Sequence, residues 1–265
     1  MVKDFEHKNY WALILGGSCG LGLASAHKLA RHGMNICIVH RDRKAEMADI
    51  EKEFEIIKAH KVEFLSFNVD ALNMEKREQV IKNLKEGLGQ NGKVRTLIHS
   101  IAKGNLKPMH SNEKPFLKND DFHLTIDAMA ISLYDWAQVV LENNLFAADA
   151  RILSFTSEGN AKAWVNYAAV SAAKAALEAI TRNLALEFAP FGIRANCIQA
   201  GITDTASFRM IPGSERLKEF TKKRNPFKRL TTPQDVADVV YLLCKDEAAW
   251  ISGSIIPVNG GEHIV

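Results

Sequence analysis

Between the apolar run Tyr10 to Leu15 and a helical pattern reaching about Arg31 stands Gly16-Gly17-Ser18-Cys19-Gly20-Leu21-Gly22. Strand, glycine turn, helix leaves a chain few folds to choose from. The glycines allow a tight turn and a close backbone approach to a ligand, and the helix N-terminus behind them favours phosphate oxygens. A glycine run alone says little; its place between a strand and a helix is what gives it weight.

The alternation continues. Asn35 to Val39 reads as a second strand, followed by a helix with Met47, Ile50, Phe54 and Ile57 on one stripe. Val62 to Val69 is the third strand, Val80, Ile81, Leu84 and Leu88 mark the next helix, and Val94 to His99 is the fourth strand. Lys103 to Asp121 is polar and proline-interrupted, a loop, before a helix from about Leu124 to Asn143. Ala150 to Phe155, Gly192 to Gln199 and Ser254 to Val258 complete the strands. A capped helix start lies at Thr231-Thr232-Pro233-Gln234-Asp235. Such βαβ repetition implies right-handed crossovers and an α/β fold: one doubly wound parallel sheet of about seven strands, with the ligand cleft at the carboxyl ends of the strands. With 265 residues and no repeat or linker, 1–265 reads as one domain. The basic stretch 205–230 reads as short helices over the cleft, a substrate lid.

Net charge is +3 with acids and bases nearly balanced, which gives no argument for a nucleic-acid partner. Cys19, Cys37, Cys197 and Cys244 are far apart, lack metal-ligand spacing and read as buried free thiols of a reducing compartment. No segment is expected to span a membrane, and Met1 to Asn9 carries both signs of charge, unlike a signal peptide. A cytoplasmic protein is the expectation.

Chemistry is concentrated in Ser157 to Lys174. The Ala-rich run from about Ala163 is expected to be helical. Tyr167 and Lys174, seven residues apart, would then share a face, roughly 10 Å apart along the axis. The ammonium can favour phenolate character and hold sugar hydroxyls, and the phenol can donate a proton to a reacting oxygen. Ser157, just after the fifth strand, could meet Tyr167 across the cleft. On spacing alone, such a pair is more often two surface residues.

Taken together, these segments resemble the short-chain dehydrogenase/reductase family over essentially the whole chain, which implies a single-domain Rossmann fold. The Gly16-xxx-Gly20-x-Gly22 spacing, Asn225-Pro226 through Val258-Asn259-Gly260-Gly261 (with Asn259 where an Asp is usual), and Ala200-Gly201-Ile202-Thr203-Asp204-Thr205 carry the resemblance. Two departures point to one subfamily. Lysine falls at 174, giving Tyr-x6-Lys, while Ser171 occupies the main branch's lysine position. The fourth strand ends His99-Ser100-Ile101-Ala102 in place of Asn-Asn-Ala-Gly. Both are similar to the enoyl-acyl-carrier-protein reductases. Ser157, where many of those carry a second Tyr, and the tight glycine loop resemble the NADPH-dependent members that keep main-branch features.

The resemblance implies hydride transfer from nicotinamide C4 to the β-carbon of a trans-2-enoyl thioester, with acyl carrier protein or coenzyme A as the alternative carriers. Tyr167 and Ser157 would stabilise the thioester oxygen, and Lys174 would hold the nicotinamide ribose. It assigns Gly16, Ser18, Cys19, Gly20, Leu21, Gly22, Asn68, Val69, Ser100, Ile101, Ala102, Gly201, Thr203 and Thr205 to the cofactor. His40 stands where an NAD-selecting acid is expected, and Arg41 and Arg43 could pair with a 2′-phosphate, so NADPH is favoured over NADH. Asp42 is the alternative ribose ligand. Asp127 either braces the site or is a solvated helix residue, and His99 is expected to be structural. The lid's cations either face solvent or dock an acidic carrier or coenzyme A phosphates. Relatives assemble as homodimers or homotetramers through the two long helices and the last strand. A 3-ketoacyl thioester reductase and a non-catalytic NADPH-binding protein are the competing readings.

Overall fold

The computed structural model describes residues 3–265. Seven strands form a parallel sheet: β1 (Tyr10–Leu15), β2 (Asn35–His40), β3 (Phe64–Asn68), β4 (Lys93–His99), β5 (Phe146–Thr156), β6 (Ile193–Ala200) and β7 (Ile255–Val258). Their spatial order is β3-β2-β1-β4-β5-β6-β7, so the winding reverses between β1 and β4. Both faces are covered because strand residues of both parities are apolar. Trp11, Leu13 and Leu15 face one core with α3 (Met74–Leu88), α5 (Ser132–Glu142) and α6 (Ala168–Glu187). Ala12 and Ile14 face the other with α1 (Gly20–Arg31), α2 (Met47–Lys58) and α9 (Pro233–Cys244).

The doubly wound sheet and its seven strands match the expectation; several boundaries do not. The helix expected from Leu124 begins at Asn119, where Asp121 accepts from the backbone N–H of Lys118 at 2.9 Å. It runs as α4 (Asn119–Ile126), an i→i+5 turn (Asp127–Ile131) and α5. Contrary to the membrane reading, Asn119–Glu142 is long and apolar enough to span one, with mean hydropathy 1.2. Its apolarity has another use here, because Leu133, Trp136, Ala137 and Val140 are buried against the sheet. The Ala163 run is not helical either: α6 starts at Ala168, with Asn166 at φ 64° and Tyr167 as the N-cap. The stretch 205–230 does form short helices, α7 (Ala206–Arg209) and α8 (Ser214–Arg224). Thr232 caps α9 as its sequence indicates, with Pro233 in the first turn.

At the edge opposite the cleft, two fully buried guanidiniums tie α9 to the sheet. Arg95 donates to the Cys244 carbonyl and Arg151 to that of Leu243, and Asp149 binds both. On the other face, Trp136 is wholly buried and donates Nε1–H to the Ala71 carbonyl at 2.9 Å. Trp136→Ala leaves a cavity and an unpaired carbonyl, and is expected to cost about 3–5 kcal/mol. A denaturation midpoint unchanged from wild type would contradict this packing.

Candidate active site

The carboxyl ends of β1, β4, β5 and β6 open into one cleft of about 240 Å³. Its floor is a backbone contact. Gly16, at φ 80°, lies so close to the end of β4 that a Cβ would come within 2.5 Å of the Ser100 carbonyl oxygen. A Cβ on Gly22 would in turn strike the Gly16 carbonyl oxygen. Gly16, Cys19, Gly20 and Leu21 line the cleft, while Ser18 and Gly22 are buried behind it. Cys19 is the exposed N-cap of α1, which corrects the expectation of four buried thiols; Cys37, Cys197 and Cys244 are buried.

The remaining walls come from three strand ends. Ser100, Ile101 and Ala102 follow β4, Ser157 and Glu158 follow β5, and Gly201 to Thr205 follow β6. Tyr167 and Lys174 line the same cleft, so all three side chains singled out from 157–174 come together. Ser157 Oγ lies 3.5 Å from Tyr167 Oη. Burial raises the Tyr167 pKa and the Ser157 hydrogen bond lowers it less, so the phenol is a protonated donor at neutral pH. Lys174 does not touch Tyr167's proton in this geometry: its Nζ donates to the Phe155 carbonyl at 2.6 Å. Burial brings its pKa down to about 8.

Gly159 went unnoticed in the sequence, yet it sets the phenol's position. A Cβ there would lie 2.5 Å from Tyr167 Cε1. Glu178 anchors the same loop, accepting from Thr156 Oγ1 at 2.6 Å and from Asn160 Nδ2. In the cleft wall, His99 is buried, and burial together with the Lys174 charge holds its pKa at about 3. Its Nε2 lies 2.8 Å from Ser132 Oγ, which donates to the Ala128 carbonyl in the i→i+5 turn, so Nε2 carries the proton. His99 is thus a neutral brace, as expected. Asp127 is exposed and does not line the cleft, which leaves the solvated reading.

The second-strand residues divide differently from the expectation. His40 does not line the cleft: its side chain is 1% exposed, sits edge-on to Phe54, and bonds Asp42 through Nδ1 at 2.7 Å. It braces Asp42, whose backbone is clasped by the Asn68 side chain at 3.0 and 3.1 Å. Val69 passes the strand end and donates its N–H to the His40 carbonyl. Arg41 is exposed and paired with Asp70 at 2.8 Å. Arg43 is exposed, and its guanidinium makes no ion pair among the described residues.

Over the mouth, the Thr205 hydroxyl caps α7 by accepting from Phe208 N–H, and its Cγ2 would meet a Gly20 Cβ at 3.6 Å. Thr203 Oγ1 donates to the Gly201 carbonyl. Phe208, Met210 and Ile211 line the cleft from above. Asp204, held at about 2 by Arg209 and Lys218, fastens α7 to α8.

The doubly wound sheet and this switch-point cleft define a nucleotide-binding type of α/β fold. A family model described as "Enoyl-(Acyl carrier protein) reductase" matches residues 16–263. The 3-oxoacyl-[acyl-carrier-protein] reductase of Pseudomonas aeruginosa is 29% identical over 96% of this chain and 97% of its own. The enoyl-[acyl-carrier-protein] reductase [NADH] of Aquifex aeolicus is 32% identical over 71% of this chain and 69% of its own. A crystal structure of an enoyl-[acyl-carrier-protein] reductase (NADH) from that organism superposes with a TM-score of 0.81 at 28% identity, covering 98% of each chain. The chain belongs to the short-chain dehydrogenase/reductase family of oxidoreductases and resembles its enoyl-acyl-carrier-protein reductases.

The buried ammonium has a measurable signature. A base whose folded pKa is lowered imposes its full penalty below about pH 8, and that penalty fades as pH rises toward the unfolded value near 10.5. Wild-type stability relative to Lys174→Met should therefore rise between about pH 8 and 10.5, by on the order of 3 kcal/mol. A difference independent of pH would mean Lys174 is not desolvated.

Proposed function

We propose that this protein reduces the C2–C3 double bond of trans-2-enoyl thioesters with NADPH. The observation that carries the reading is the convergence of Ser157, Tyr167 and Lys174 in a largely apolar cleft beside the glycine turn. The Gly16–Gly22 turn fits a dinucleotide: a Cβ at Gly16 would strike the Ser100 carbonyl and one at Gly22 the Gly16 carbonyl, so only glycines let the turn close this tightly and set the N-terminus of α1 at the cleft, where pyrophosphate oxygens are favoured. The bound nicotinamide would supply hydride.

Within that arrangement Tyr167, kept protonated by burial, donates a hydrogen bond to the thioester oxygen as enolate charge develops. Ser157 Oγ, at 3.5 Å from the phenol, supports it. Lys174, anchored on the Phe155 carbonyl, offers its remaining protons to the ribose hydroxyls. Gly16, Cys19, Gly20 and Leu21 would hold the phosphates, and Ser100 to Ala102, Gly201, Thr203 and Thr205, which line the same cleft, would flank the dinucleotide. The apolar lid residues exclude water, and the exposed cations Arg216, Lys222, Lys223 and Lys228 suit an acidic acyl carrier protein. The exposed Leu124, Ile131, Tyr134 and Leu186 on the long helices fit a homodimer or homotetramer.

Tyr167→Phe should lower kcat with a trans-2-enoyl thioester about 100-fold while the Kd for NADPH stays within about twofold. Equal turnover by the variant would remove Tyr167 from the mechanism. A second reading, 3-ketoacyl thioester reduction, is favoured by the Ser157–Tyr167 pair, which equally suits a ketone oxygen. NADPH oxidation with matched enoyl and 3-ketoacyl thioesters separates the two, and turnover of the ketoacyl substrate alone selects the second.

Preference for NADPH rests on Arg43, an exposed guanidinium that makes no ion pair among the described residues and is suited to a 2′-phosphate. Asp42, clasped by Asn68, favours a ribose hydroxyl and hence NADH. Arg43→Ala should raise KM for NADPH roughly tenfold and leave that for NADH little changed. A higher kcat/KM with NADH in the wild type would make Asp42 the selecting residue.

A further inference from the structure

The cleft is not apolar throughout. Glu158 and Glu262 line it although they are only 8% and 3% exposed. They come from opposite ends of the chain's second half, Glu158 directly after Ser157 and Glu262 after the last strand. Arg224, the last residue of α8, joins them: its Nη2 donates to Glu158 Oε2 at 2.9 Å and to Glu262 Oε1 at 2.8 Å. Lys162 Nζ adds a donor to Glu158 Oε2 at 3.1 Å, and Thr221 Oγ1 one to Glu262 Oε1 at 3.4 Å. Every one of these donors serves the same oxygen of each carboxylate. Glu158 Oε1 and Glu262 Oε2 are buried without a partner.

Leaving carboxyl oxygens buried and unbonded is costly, and each such group in a folded protein calls for a partner that completes it. Burial works to raise the Glu158 pKa, but Arg224 and Lys162 outweigh it and hold it lowered, so its second oxygen is a charged acceptor. Two carboxylates against Arg224 and Lys162 already balance in charge, so no cation is called for. A neutral donor fits. We propose that Glu158 Oε1 and Glu262 Oε2 form a polar subsite that receives a hydroxyl or amide N–H of the substrate, in the cleft that Ser157 and Tyr167 also line. This deepens the thioester reading and rests on it. Such a donor has two sources: a hydroxyl on the acyl chain, or the amide of the cysteamine arm that carries the thioester.

Four compounds separate them: the N-acetylcysteamine and S-ethyl thioesters of trans-2-butenoic acid and of its 4-hydroxy derivative. Each is tested with NADPH on wild type, Glu262→Gln and Glu158→Gln. In either variant Arg224 retains the amide oxygen, which turns the NH₂ toward the cleft and replaces an acceptor by a donor. Wild type should favour the compound bearing the donor by at least about tenfold in kcat/KM, and the ratio should fall to within about threefold in the variants. A preference for the 4-hydroxy compounds assigns the acyl chain, and a preference for the N-acetylcysteamine compounds assigns the carrier arm.

If no thioester is reduced, thioester reduction fails by itself. The same ratio is then taken between 4-hydroxy-2-butanone and 2-butanone, where the hydroxyl preference and its loss in the variants would still support the subsite. Discrimination in none of these series, or ratios that survive in both variants, overturns the subsite.

Discussion

A contact with no room for a side chain sits beneath this site. Gly16 lies against the Ser100 carbonyl, and Gly22 lies against Gly16. Together they close the gap where the winding reverses between β1 and β4. The approach lets α1 start directly at the cleft, with its free N–H groups facing the space where phosphates are bound in folds of this type. Everything else in the site is measured from that floor. The ends of β4, β5 and β6 stand around it, and Thr205, the N-cap of α7, lies over Gly20.

Polar groups in the cleft are few, and each is held by a neighbour that determines its state. Burial keeps the Tyr167 phenol protonated, while Gly159 gives its ring room. The Phe155 carbonyl fixes the Lys174 ammonium in a setting that burial makes reluctant to hold charge. His99 stays neutral because burial and Lys174 both oppose its protonation. Stability is given up at Lys174, where burial disfavours the charge, as expected where a side chain is arranged for a ligand and not for the folded state alone.

Much of this was legible in the chain. Apolar runs separated by helical stripes define the sheet, because parallel strands buried on both faces must be apolar at successive positions. Gly16, Gly20 and Gly22 mark the turn, and Ser157, Tyr167 and Lys174 do meet. What escaped depends on tertiary context. Ala propensity argued for a helix from Ala163, yet the loop must cross the cleft, so Asn166 takes a left-handed backbone and Tyr167 becomes a cap. His40 looked like a ligand because its register is right, but the strand end turns its ring into the core. Glu262 carried no signal, being three residues from the C-terminus and far from Glu158 in sequence. Only the fold brings Arg224 between them. The i→i+5 turn at Asp127–Ile131, which supplies the Ala128 carbonyl to Ser132 and so orients His99, likewise has no local signature.

The proposed reaction delivers hydride to a carbon–carbon double bond next to a thioester whose oxygen Tyr167 would hold. Incubating the protein with NADPH deuterated at nicotinamide C4 and a trans-2-enoyl thioester, then locating the label by NMR, tests this most directly. Deuterium at the β-carbon of a saturated product is the predicted result. Deuterium on a newly formed carbinol carbon, found only when a ketone or 3-ketoacyl substrate is supplied, would contradict it.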